Sequence, residues 1–155
     1  MALALSIRER ILLALVDAMN AGAEKPGPTY RTRAEALSGG GGGAEDTTGE
    51  LPAYVLFALE STPERKSPST TYHQLTFRLE CLMAGEPPMD TALDPMLVYA
   101  VQAMFAACEA LGSVKGLEEA QIQWEIETAY DNVAIATADF RVTFATAFND
   151  PTTEK

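Results

Sequence analysis

The side chains that could carry chemistry are few and poorly spaced for it. The chain has 155 residues with one histidine, His73, and two cysteines, Cys81 and Cys108. A histidine base needs a nucleophile to deprotonate, and an imidazole metal site needs further ligands at ligand spacing. His73 has no second histidine to pair with and falls on the apolar side of an alternating run, so it reads as a residue at the rim of a core. Cys81 and Cys108 each fall on an apolar period, which predicts buried free thiols rather than a disulfide. Glu118, Glu119, Glu125, Glu127 and Asp131 could suggest a cation site, but they are strung along a strand-like stretch instead of being gathered in one loop. A solvated or interface face is their simpler reading. Five consecutive glycines occupy positions 39–43. A phosphate-cradling loop needs a Lys-Ser/Thr pair after the glycines and a strand-loop-helix setting; neither is present, so the run reads as part of a flexible surface loop. No catalytic residue, metal or cofactor is expected, and the protein reads as a non-enzyme.

Composition narrows the partners. The formal net charge is −11, whereas a nucleic-acid-binding surface needs clustered Lys and Arg to meet phosphates. DNA passing nearby without being held stays compatible with this charge. The apolar start Met1-Ala2-Leu3-Ala4-Leu5 is too short for a secretory signal and is followed at once by Arg8, Glu9 and Arg10; no membrane-spanning segment is expected. The length suits a single domain over residues 1–155, made in the cytoplasm, with its own core.

The elements that position these residues follow from periodicity. Ser6-Ile7-Arg8-Glu9 is a capping box, and Ile7, Ile11, Ala14, Leu15 and Ala18 share one face of a helix ending near Asn20. Lys25-Pro26-Gly27-Pro28 stops it, and residues 29–33 form a short strand anchored by Tyr30. Residues 38–49 and 61–71 are polar, Gly/Pro-rich loops, with Gly41, Glu45 and Asp46 in the first and Glu64, Arg65 and Lys66 in the second. Between them, residues 51–60 are apolar on both parities, with Phe57 among them, as in a strand covered on both faces or lying at a subunit contact. Residues 72–84 form a strand with His73, Leu75, Phe77, Leu79, Cys81 and Met83 on one side. Asp94-Pro95 predicts a helix start, and Leu97, Val101, Met104, Cys108 and Leu111 give that helix its stripe, with Gly112 as its stop.

The chain then closes with a long antiparallel hairpin over residues 120–147, around which the rest is organised. Ile122, Trp124 and Ile126 alternate with glutamine and glutamate on the way in; Ala134, Ala136, Ala138, Phe140, Val142 and Phe144 alternate with polar residues on the way back. Opposed residues share a face, so the even-numbered apolar set must oppose itself and the loop must have an odd residue count. A loop at residues 131–133 sets Glu125 against Asp139. A loop at residues 130–132 sets Glu125 against Thr137 and Gln121 against Arg141, and is preferred, with Asn132 in the left-handed conformation. Trp124 and Phe140 are then core, and the order is α-β-β-β-α-β-β: an α/β (α+β) fold with two helices on a mixed or antiparallel sheet and a short C-terminal tail.

This layout resembles the tail terminator proteins of long-tailed bacteriophages. The features that carry the resemblance are the opening helix with Ile7-Arg8-Glu9-Arg10-Ile11-Leu12, and Tyr30-Arg31-Thr32-Arg33 leading into Ala34-Glu35-Ala36-Leu37. Leu51-Pro52-Ala53 opening a strand, the long strand over residues 74–83 before the second helix, and the closing Phe140-Arg141-Val142-Thr143-Phe144 complete them. The glycine run departs from the pattern. The resemblance implies a structural virion protein, assembled in the host cytoplasm. It would form a homohexameric ring that caps the head-proximal end of the tail tube, stops its polymerisation and offers a surface to the head-tail connector or neck protein, while DNA passes through the lumen unbound. A neck connector of the same virion shares size, acidity and ring symmetry, and a small α+β ligand-binding or regulatory module is the alternative from a different class. The two polar loops are the expected contacts with tube and connector, and Trp124, Phe140, Phe57 and Phe77 the expected core or subunit interface.

Overall fold

The first helix starts where Ser6 caps it. In the computed structural model, which describes residues 3–31, 51–84, 88–127 and 133–155, the Ser6 hydroxyl accepts from the Glu9 N–H at 3.2 Å and α1 runs over Ile7–Ala21. This satisfies one of the N–H groups that a helix start leaves open. The Glu9 carboxylate, the other half of the expected capping box, is taken up by Arg31, whose Nη2 lies 3.1 Å away. The buried stripe of α1 is Ile7, Ile11, Leu12, Leu15, Val16 and Met19. It is broader than the expected set, so Ala14 and Ala18 fall to its rim.

Beyond α1 the chain makes a tight return. β1 (Thr29–Arg31) runs parallel to β2 (Ala53–Arg65), with Tyr30 opposite Val55. Asn20 brackets the start of β1: its Oδ1 accepts from the Thr29 N–H at 2.9 Å and its Nδ2 donates to the Thr29 carbonyl at 3.0 Å. Gly27 passes so close to the next strand that an added Cβ would lie 2.0 Å from the Pro52 carbonyl oxygen. The glycine is there because nothing larger fits. The backbone of residues 29–31 is thereby set against β2, where Arg31 also donates to the Leu56 carbonyl at 2.7 Å.

β2 and β3 (Thr70–Ala84) form an antiparallel arm longer than the sequence predicts. The expected loop over residues 61–71 is mostly strand, with Glu64 opposite Tyr72 and Arg65 opposite Thr71, and only residues 66–69 connect the two. Pro63 is the residue that suggests a loop. An edge strand tolerates proline because one side of it needs no ladder donor, and here Pro63 pairs with His73. The expectation that residues 51–60 are covered on both faces holds only for its first half: Ala53, Tyr54, Val55 and Leu56 are buried, while Ala58, Leu59 and Glu60 are exposed. A bulge between Ala58 and Glu60 leaves Leu59 outside the ladder.

α2 (Met89–Ala110) begins five residues before Asp94, and Pro95 lies inside it. Asp94 is therefore not the N-cap. Pro95 occupies the exposed side of the helix in its second turn, so the Thr91 carbonyl that loses its N–H donor can face water. At the other end the Leu111 N–H closes onto the carbonyls of Ala107 and Cys108 at 3.1 and 3.2 Å, before Gly112. By length and composition α2 is apolar enough to cross a bilayer. Its Leu93, Met96, Leu97, Ala100, Met104 and Cys108 are instead buried in the protein's core, as in the core helix of a folded domain.

The closing hairpin is β4 (Val114–Glu127) and β5 (Val133–Ala147). Its parity is as expected and its register is not: Trp124 opposes Ala136, Gln121 opposes Asp139 and Glu125 opposes Ile135, two residues from the predicted pairing. The turn itself, with Asn132, lies outside the described residues. β4 also starts earlier than its alternation suggests, because bulges between Val114 and Gly116 and between Glu119 and Gln121 each reset the parity. Leu117 and Ile122 consequently face the same side, opposite Val142 and Ala138. An unexpected sixth strand, β6 (Asp150–Glu154), turns back through Asn149 in the left-handed conformation (φ 59°) and pairs with β5 at Thr146 and Ala147, beyond the reach of β4.

The result is an α+β fold: two helices packed on a mixed six-stranded sheet of order β1-β2-β3-β5-β4, with β6 on the far end of β5. Both helices contribute to one core with Tyr54 and Leu56 of β2, Leu75, Phe77, Leu79 and Cys81 of β3, and the even-numbered residues of β5. A smaller cluster of Ala53, Val55 and Leu82, flanked by Tyr30, Phe57 and Ile135, lies on the other face. The Tyr54 hydroxyl donates to the Met96 carbonyl at 2.8 Å, tying the sheet to α2.

Candidate functional site

The four aromatic residues expected to be core or interface separate into three environments. Phe77 and Phe140 are fully buried and stack at 5.5 Å between centroids. They are opposed across β3 and β5 and form the centre of the core. Phe57 is half-buried beside the smaller cluster. Trp124 is 48% exposed, which corrects its reading as a core residue. It stands on the helix side of β4 but near the end of this edge strand, where it meets only the first turns of α2. It lines an open groove there with Asp90, Thr91, Asp94 and Pro95.

The expected contact residues Glu64, Arg65 and Lys66 lie at the tip of the β2–β3 arm. Lys66 pairs with Glu64, both exposed. Arg65 turns instead over the ring of Phe148, with its guanidinium carbon 3.9 Å from the ring centroid, a favourable cation–π arrangement. The Phe148 N–H donates to the Ser69 carbonyl at 2.9 Å, which fastens the arm to the turn between β5 and β6. Beside these residues is an open pocket of about 420 Å³, lined among others by Pro63, His73 and Thr146; it is called the cavity below. Gly41, Glu45 and Asp46, with the rest of the loop over residues 38–49, lie outside the described residues.

His73 is one of the residues that line that pocket. Its Nε2 is 2.9 Å from the Thr146 hydroxyl, and its ring stacks on Phe144 at 4.9 Å. Burial first, and then the nearby Arg8 charge, lower its pKa from the usual imidazole value. The two thiols are free and buried, as expected; burial pushes Cys81 up to about 12 and Cys108 up to about 11, so neither is a thiolate at neutral pH. Among the described residues, no three His, Cys, Asp or Glu side chains gather as metal ligands.

Beyond the small apolar cluster around Val55, the face of the sheet without helices carries ion pairs. Arg78 donates to both oxygens of Asp139, at 2.7 and 3.0 Å, and Arg141 meets Glu118 at 3.0 Å. Glu80 has its pKa raised, chiefly by burial and further by Glu125. Of the acidic residues singled out in the sequence, Glu118 pairs with Arg141 and Glu125 is exposed near Arg78 and Glu80; Asp131 lies outside the described residues. Sequence reasoning missed Phe148, Asn149 and Asp150, which it left in a tail. The Asn149-Asp150-Pro151 turn signal was present, but a five-residue strand after it is too short to register as periodicity.

The described residues thus present several surface features that could make contacts. They include a β4 edge with no strand beside it among the described residues, an exposed tryptophan near two carboxylates at one end of the sheet, and an open pocket beside Arg65 at the other. Compared with known proteins, the chain matches no family model and no curated protein.

Proposed function

We propose that this protein is the subunit of a phage tail terminator: a sixfold ring that caps the head-proximal end of the tail tube, stops its growth and presents a surface for head-tail joining. The observation that carries this reading is the edge of the sheet. β4 is fourteen residues long, and among the described residues no strand pairs with its outer side. A long unpaired edge is a template for another chain, and natural proteins cover it or close it. Head-to-tail association that closes into a ring does so without leaving a growing end. The element order from which the resemblance was drawn supports the same reading, with β6 as an addition.

Termination then needs geometry and no turnover. One face of the ring binds the last tube ring; the opposite face lacks the features a further tube subunit requires. A single subunit docks weakly, but six linked contacts act at high effective concentration, so the ring holds the tube end far more tightly than its parts. The acidity of the chain suits a lumen through which DNA passes, since like charge disfavours capture. The test is to polymerise the tube protein in vitro with and without this protein. Added at far below one copy per tube subunit, it should shorten and sharpen the length distribution. Tubes of unchanged length would refute the assignment.

A further inference from the structure

The two ends of the sheet are unlike, and the difference is complementary. At the arm end, Arg65 caps the cavity over Phe148. Arg8 is close enough to act on His73 beneath it, and Arg10 donates to the Thr152 carbonyl beside it. Among the described residues, none of these three arginines forms an ion pair, although the chain is strongly acidic. The acid on this rim, Asp150, directs its carboxylate to the hydroxyls of Thr152 and Thr153 at 2.6 and 2.5 Å. At the opposite end, Trp124 stands in the open with Asp90 and Asp94 beside it, and among the described residues neither aspartate is paired. Tryptophan and arginine are the side chains that most often dominate protein interfaces when they meet in a desolvated pocket, and aspartate is the natural partner for an arginine left without one.

We propose that successive copies of this chain associate head to tail through these ends: Trp124 of one copy enters the cavity of the next, and Asp90 and Asp94 meet Arg65. The occupant is a second copy because both halves of the contact are on one chain and their charges match. The two patches differ and lie at opposite ends of the sheet, so the contact is heterologous, the kind that closes into a ring or extends as a filament. This inference rests on the ring reading above and adds to it a contact between the strand ends, separate from the β4 edge. His73, with its pKa lowered, is uncharged at neutral pH where it lines the cavity, as an indole needs.

Trp124 is the only tryptophan in the chain, so its fluorescence reports this contact alone. The experiment follows emission and sedimentation of the full-length protein together across a concentration series. It compares the wild type with Arg65→Glu, with Asp90→Arg/Asp94→Arg, and with all three changes combined; thermal melts confirm that each folds. The expected result is that wild-type emission moves to shorter wavelength as larger species form. Each one-sided reversal should weaken association at least about tenfold, as for loss of a hot-spot contact, and the combination should recover it. Association with unchanged emission, or reversals without effect, overturns this interface and leaves the ring reading standing. A combination that fails to recover association overturns the pairing of Arg65 with the aspartates. A wild type that stays monomeric at every concentration overturns the second copy as occupant, and tail lengths in lysates then judge the terminator reading separately.

Discussion

Asn20 is the residue on which the β1 return depends, and its replacement tests the fold account most sharply. Its amide makes two hydrogen bonds to one residue, accepting from the Thr29 N–H at 2.9 Å and donating to the Thr29 carbonyl at 3.0 Å. Thr29 is only 4% exposed, so water does not readily replace the lost partner. Two hydrogen bonds at roughly 1 kcal/mol each, with an added cost for a buried N–H left unsatisfied, predict that Asn20→Ala loses about 2–3 kcal/mol. For a domain of this size each kcal/mol lowers Tm by roughly 2–4 °C. Urea unfolding with an unchanged m-value is the assay. Asn20→Asp gives a second readout. It keeps the acceptor but sets a carboxylate oxygen against the Thr29 carbonyl, which raises the folded-state pKa of the new acid. The stability of that variant is fullest below the ordinary carboxyl pKa and is lost as pH rises through the raised folded value. Its deficit relative to the wild type should therefore shrink in acid. An alanine variant within about 0.5 kcal/mol of the wild type, the range of an ordinary surface change, would show that the bracket does not hold β1.

Three further outcomes follow from burial and charge. Phe140→Ala should cost about 3–5 kcal/mol, because the ring is fully buried against Phe77; Trp124→Ala, half-exposed, should cost about 1–2 kcal/mol by the same denaturation assay. Gly27→Ala sets its Cβ 2.0 Å from a backbone oxygen that cannot swing aside, so it should destabilise by roughly 1–3 kcal/mol; a neutral result in a thermal melt would contradict the close approach. His73 has its pKa lowered by burial and Arg8, so the stability it contributes is present above the ordinary imidazole pKa and is lost as pH falls through the folded value. His73→Gln should flatten that part of the stability-pH curve, and an unchanged curve would exclude His73 as its source.

What the sequence disclosed was set by how regular each element is. The α+β class, the helix from Ser6 and the Phe77–Phe140 core could be read because their apolar periods run unbroken. β4 could not be bounded, since two bulges shift its parity and put Leu117 and Ile122 on one face. The arm reads as a loop in the sequence because Pro63, Glu64, Arg65 and Lys66 resemble turn chemistry, and nothing local shows that an edge strand tolerates them. Parity alone places Trp124 in the core. Parity gives the face of a strand but not how far along it the covering helix extends, and Trp124 lies against only the first turns of α2, which leave it half-exposed. The cavity under Arg65 joins residues from β2, β3 and the β5–β6 turn, and no spacing in the chain predicts such a meeting.

The terminator account is tested most directly by electron microscopy of infected-cell lysates in which this protein is absent. The account predicts intact heads together with tails of irregular or excessive length that do not join them. Tails of normal length, properly joined to filled heads in the complete absence of the protein, would contradict it.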